Sequence, residues 1–205
     1  SALVLPLKEG DFHNSTHCLM ESFGNNATYT FIGTDKSIEY QNDIFDTLPQ
    51  CKAIFEKYPP LVLRDSNEIE AIFHQIIESI KNSNSENIIL DITHGFRHQP
   101  IIASFASTLA QISSDKHITL LFAKIQSDDT YQYTSLERYS QISLIALSLQ
   151  TFVQTLSVPY ISSLDKKEYH FIDTLTRFSN ALHANAFAQI FGLLNETKNE
   201  LNQVK

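Results

Sequence analysis

Apolar positions along the chain switch between short continuous runs and stripes at helical spacing. Runs rich in β-branched and aromatic residues at 2–7, 28–32, 61–63, 87–92, 117–125 and 130–134 predict strands. Residues 15–23 predict a helix, and 38–58 predict a second one, broken or kinked at Pro49 and stopped by Pro59-Pro60. Ile69, Ile72, Phe73, Ile76, Ile77 and Ile80 repeat with the helical period. Asp65, three residues before Glu68, reads as a capping-box start for that helix. Ile101, Ile102, Phe105, Leu109 and Ile112 mark the apolar face of the next helix, with Pro100 in its first turn, where a missing N–H costs nothing. Two further stripes predict two terminal helices: Ile142, Ile145, Leu149, Phe152, Val153 and Leu156, then a longer one from Phe171 to Leu194.

Strands that alternate with helices imply a parallel, doubly wound α/β sheet. The 130–134 run follows the turn signal Ser127-Asp128-Asp129 and predicts an antiparallel edge strand. The expected division is a sheet-and-helix core over 1–137 and a helical extension over 138–205 that packs on the core or on a partner chain.

Composition narrows the function. A chain of 205 residues with 42% hydrophobic content can bury one full core. Its net charge of −8 excludes general binding of duplex DNA, which needs a basic face. A small anionic ligand is still admissible, because charge repulsion is screened beyond about 8 Å at physiological salt. A local nest of N–H groups with one or two cations then decides. No apolar tract is long enough to span a membrane, and no leader is visible at the start. The expectation is a cytoplasmic chain in which Cys18 and Cys51 are reduced packing residues.

The chemistry concentrates in Asp91-Ile92-Thr93-His94-Gly95-Phe96-Arg97, between a strand and a helix. Ligands of open α/β sheets bind at the carboxyl ends of strands. There, free N–H groups and the positive end of the helix dipole favour an anion. Thr93 adds a hydroxyl, His94 a titratable donor and Arg97 a fixed cation, while Gly95 lets the backbone approach closely. The plain alternative is that Asp91 and Thr93 cap the following helix.

Asp91-x-Thr93-His94-Gly95-x-Arg97 resembles the DxTHG signature of CRISPR-associated proteins with a CARF domain. Phe31-Ile32-Gly33-Thr34-Asp35-Lys36 is similar to that family's second-strand ending, and residues 118–136 to its late strand and hairpin. The segment Arg177-Phe178-Ser179-Asn180-Ala181-Leu182 resembles a helix found after the core. The first-strand loop, Leu7-Lys8-Glu9-Gly10-Asp11, differs from the small, hydroxyl-rich loop of the family. The resemblance implies a Rossmann-like homodimer that binds a cyclic oligoadenylate, most simply the tetra-adenylate, across its twofold as a type III CRISPR signalling sensor. An even-membered ring suits an isologous dimer, which offers each half the same groups. It further implies ligand contacts from Lys8, Gly10, Thr34, Asp35, Lys36, Thr93, His94, Gly95 and Arg97. Some relatives cut the ring, a step that needs no metal, with His94 as the candidate catalytic residue.

Two other readings stand beside this one. Arg177 and His183 match the loose spacing of HEPN ribonucleases, but six residues of helix leave their side chains about 120° apart. The chain can also be the sensor half of a longer effector, or act through a partner. His13 with His17, and His94 with His98, share a one-turn spacing that suits a metal, yet no third ligand is evident nearby in sequence. No P-loop, nucleophile elbow or dinucleotide fingerprint is present, so neither a metal nor a cofactor is expected.

Overall fold

The computed structural model describes residues 7–63, 69–94, 98–126, 130–164 and 169–203. The predicted first strand therefore lies outside the described residues except for Leu7, which is not in a strand, and so do Asp65 and Glu68. Helix α1 is Ser15–Phe23, and its N-cap Asn14 accepts from the His17 N–H at 2.9 Å. A short 3-10 turn, Gly24–Asn26, follows.

Strand β1 is only Ile32–Gly33, shorter than the pattern at 28–32 predicts. The side chains of the residues before it serve an aromatic cluster. Tyr29 stacks on Phe31 at 6.0 Å, and Phe31 meets Phe55 edge-on at 4.9 Å. The predicted helix over 38–58 is broken at Pro49, as one of the two expected outcomes, into α2, Asp35–Asp46, and α3, Pro49–Lys57. The cause is Pro49 at the start of α3, which holds Leu48 out of the helical region at φ −128° and ψ 84°. Strand β2, Leu61–Val62, runs parallel to β1, with Leu61 N–H donating to Phe31 C=O and Leu63 N–H to Gly33 C=O, both at 2.8 Å.

Helix α4, Ile69–Asn82, leads into a β-α-β unit of strand β3, Asn87–Asp91, helix α5, Gln99–Ser113, and strand β4, His117–Ile125, in which β3 and β4 are parallel from Asn87↔His117 to Asp91↔Leu121. Strand β5, Tyr131–Ser135, returns antiparallel to β4 as the edge. The ladder comes in two pieces, β1-β2 and β3-β4-β5. A shared apolar core joins them: Ile32 and Leu63 from the first pack with Leu90, Ile92, Ile118 and Leu120 from the second. The result is the expected mixed α/β, Rossmann-like arrangement of parallel strands flanked by helices.

Helix α5 reverses the expected face. Only Ile102 of the predicted stripe is buried, and it lies on an alanine face with Ala103, Ala106 and Ala110. Ile101, Phe105, Leu109 and Ile112 are exposed at 59%, 67%, 44% and 39%. Small side chains let α5 lie close against the sheet, and the large ones are left facing outward.

Three helices follow where two stripes predict two: α6, Glu137–Thr155, α7, His170–His183, and α8, Phe187–Gln203. The long stripe is cut by a Schellman cap. Asn185 takes φ 55°, its N–H donates to Leu182 C=O at 3.1 Å, and Ala186 N–H donates to Ala181 C=O at 2.9 Å. Among the described residues, no helix is long and apolar enough to cross a membrane.

Candidate functional site

The carboxyl end of β3 is held by one carboxylate. Asp91 Oδ1 accepts from the Thr93 backbone N–H at 2.9 Å and also from the Thr93 hydroxyl. Its other oxygen, Oδ2, accepts from the Ser15 hydroxyl at 2.7 Å. Thr93 Oγ1 in turn accepts from the Ala123 N–H on β4 at 2.9 Å, and Ile92 N–H donates to Leu121 C=O at 2.9 Å. Asp91 and Thr93 thus lock β3 to β4 and to the start of α1. They do not cap α5, whose N-cap is His98, with no side-chain capping bond. The alternative reading of these two residues as a helix cap is corrected accordingly.

A second layer holds α1 in place. The Tyr133 hydroxyl on β5 donates to the Ser15 carbonyl at 2.9 Å. Burial, and next the nearby Asp91 charge, push the Tyr133 phenol far above its ordinary range. Asn14 Nδ2 donates to Gln41 Oε1 on α2 at 3.0 Å. The α1 N-terminus therefore bridges the helix that follows β1 and the turn that follows β3. Neither Ser15 nor Tyr133 is legible as a site residue, since their partners lie 76 and 118 positions away.

His94 comes next and is exposed. Gly95 and Arg97 lie outside the described residues. At the end of β1, Thr34 caps α2, accepting from the Ser37 N–H at 3.4 Å, with Asp35 and Lys36 exposed in the first turn. Gly33 sits close to α2: a Cβ there would stand 2.5 Å from Ser37 Oγ, so that side chain would have to move. Lys8 is exposed and pairs with Glu21 at 3.3 Å, while its N–H donates to Ser22 Oγ at 3.0 Å. Gly10 is exposed with φ +156°. Lys124, on β4, is exposed.

The two residues of the ribonuclease reading have separate partners. Arg177 Nη1 donates to Glu196 Oε1 on α8 at 2.9 Å. His183 Nε2 shares a hydrogen bond with Ser157 Oγ at 2.7 Å.

Around His17 the fold brings together groups that are distant in sequence. Glu21 and Cys51 bring two further donor atoms to it, with all three ligand atoms within 4.8 Å of one another. Both cysteines are free and buried, as expected of packing residues.

The family model described as CRISPR system endoribonuclease Csx1, CARF domain, matches residues 64–129. That segment contains α4, β3, the Asp91–Thr93 lock, α5 and β4. The match supports a CRISPR CARF-domain protein. No curated protein matches the chain.

Proposed function

We propose that this chain binds a cyclic oligoadenylate, most simply the tetra-adenylate, at a homodimer twofold and acts as a type III CRISPR antiviral sensor. The observation that carries the reading is the braced turn after β3. It presents His94 to solvent at the ligand-binding end of parallel strands, within the segment that matches the CARF family. Thr93 contributes mainly by position, because its hydroxyl already serves Asp91 and Ala123. Its N–H is likewise held by Asp91, so His94, Gly95 and Arg97 are left to face the phosphates and bases. Thr34, Asp35 and Lys36 approach from the end of β1, and Lys8 and Gly10 from the loop before α1.

The exposed face of α5 supports the dimer. Ile101 lies four residues after Arg97, so the apolar stripe starts beside the turn. A twofold there would bury the stripe and set two His94 turns around one ring. In this reading 1–137 is the sensing core, 138–205 is the helical extension, and the protein works in the cytoplasm.

Ring cleavage is the second reading, and His94 is what favours it. A ribose 2′-hydroxyl held in line would attack the adjacent phosphorus, forming the 2′-O–P bond as the P–O5′ bond breaks. His94 could accept the hydroxyl proton, and a donor would then protonate the departing O5′. One experiment tests both readings. Cyclic tri-, tetra- and hexa-adenylate are each mixed with the protein, and heat of binding and breakdown products are measured. Binding without products leaves a sensor, products lost in His94→Ala identify a ring nuclease, and no binding of any ring rejects both.

A further inference from the structure

We propose a zinc-class metal site formed by His17, Glu21 and Cys51, which would staple α1 to α3. His17 and Glu21 sit one helical turn apart on the same side of α1. Cys51 lies in the first turn of α3. Their ligand atoms are all within 4.8 Å of one another. His17 and Cys51 are buried, at 7% and 1% exposure, and the Glu21 side chain is 29% exposed, which leaves an edge open to solvent.

The donor set selects the metal. Calcium and magnesium take oxygen ligands, whereas one imidazole, one carboxylate and one thiol suit zinc or a neighbouring late divalent ion. Ligands on a tetrahedral zinc lie about 2.0–2.3 Å from the metal. A modest closing of the three side chains would reach that geometry and leave the fourth position for water. With the thiol deprotonated, the set carries two negative charges, which a divalent cation neutralises.

Each ligand has a way to accommodate the ion. Glu21 pairs with Lys8 through Oε2, and its other oxygen is a second ligand atom. His17 Nδ1 accepts a long hydrogen bond from the His13 N–H at 3.2 Å, so that nitrogen presents its lone pair. A metal at Nδ1 would displace that amide, and a metal at Nε2 would move the ring proton. Burial, with Glu21 adding to it, pushes the Cys51 thiol up. Binding would therefore release the thiol proton to solvent while the metal–sulfur bond forms. Since α1 also carries Ser15 on Asp91, the staple would tie the β3 turn to the α3 layer. The proposal stands independently of the nucleotide reading.

The full purified chain, stripped with chelator, is titrated with Zn²⁺ by calorimetry and with Co²⁺ by absorption, without nucleotide. The expected result is one metal per chain, a thiolate-to-cobalt charge-transfer band, and a rise in melting temperature with zinc. Cys51→Ser abolishes the band and Cys18→Ser keeps it. Glu21→Gln, at a half-buried position, weakens zinc binding by roughly tenfold or more. Far-ultraviolet circular dichroism checks that each variant folds. A wild-type protein without the band overturns the proposal before any variant is made, and so does a band that survives in folded Cys51→Ser or disappears in folded Cys18→Ser.

Discussion

The Ser15 hydroxyl donates to Asp91 Oδ2 at 2.7 Å, a bond between residues 76 positions apart. It joins the first turn of α1 to the end of β3, and so ties the loop holding Lys8 and Gly10 to the turn holding His94. A hydrogen bond to a charged group contributes about 1.5–3 kcal/mol. Ser15→Ala is therefore expected to lower unfolding stability within that range, and Asp91→Ala by more, since it strands three donors. Denaturant unfolding checks both. A Ser15→Ala variant as stable as the parent would show that the bond does not hold α1.

Thr93 separates positioning from ligand contact. Thr93→Ser keeps the hydroxyl that bridges Asp91 and Ala123, whereas Thr93→Val keeps the shape and removes it. Ala123 is buried, so its N–H would lose its partner in Thr93→Val, at a cost of about 1–3 kcal/mol. Stability and ring affinity should fall together in Thr93→Val and hold in Thr93→Ser. A valine variant that loses affinity at unchanged stability would instead put the Thr93 hydroxyl on the ligand.

Two tyrosines set the alkaline limit. Burial pushes Tyr29 from 10.0 up to about 12, and raises Tyr133 further. A phenol whose folded value lies above its unfolded one gives stability that is full below pH 10 and is lost as pH rises toward the folded value. Stability is thus expected to be insensitive to these groups up to about pH 10 and to fall beyond it. In the double variant Tyr29→Phe with Tyr133→Phe, that fall should be much shallower. Unfolding curves between neutral and strongly alkaline pH measure it, and an equally steep fall in the double variant would remove the two phenols as its cause.

The outward stripe on α5 is the proposed dimer face. Phe105, 67% exposed, makes little of the single-chain core. Phe105→Glu should leave the fold of one chain within about 0.5 kcal/mol of the parent. It should also halve the sedimenting mass. A Phe105→Glu protein that still sediments as a dimer would place the interface elsewhere.

Much of the core was legible because its signals are local. Ile72, Ile76 and Ile80 of α4 are buried at helical spacing, and β4 runs from His117 to Ile125 as its apolar run predicts. What escaped depends on neighbours distant in sequence. Tyr29 and Phe31 read as strand residues, but Tyr58 on one and Phe55 on the other draw them into a cluster. On α5, apolar spacing marks a stripe without saying which side faces the sheet, and the alanines win that side. The Asn185 cap leaves no gap in the hydrophobic rhythm, so α7 and α8 read as one element. At the site, the motif from Asp91 to His94 stood out at once. Its bracing by Ser15, Ala123 and Tyr133 did not, because a hydrogen bond across the fold leaves no periodic trace.

Calorimetry of the purified protein with cyclic tetra-adenylate, in parallel with His94→Ala, tests the nucleotide assignment most directly. The expected result is one ring per two chains, with at least tenfold weaker binding in a His94→Ala variant of unchanged stability, about 1.4 kcal/mol or more. No heat with this ring or its tri- and hexa-adenylate counterparts, or full affinity without His94, would contradict it.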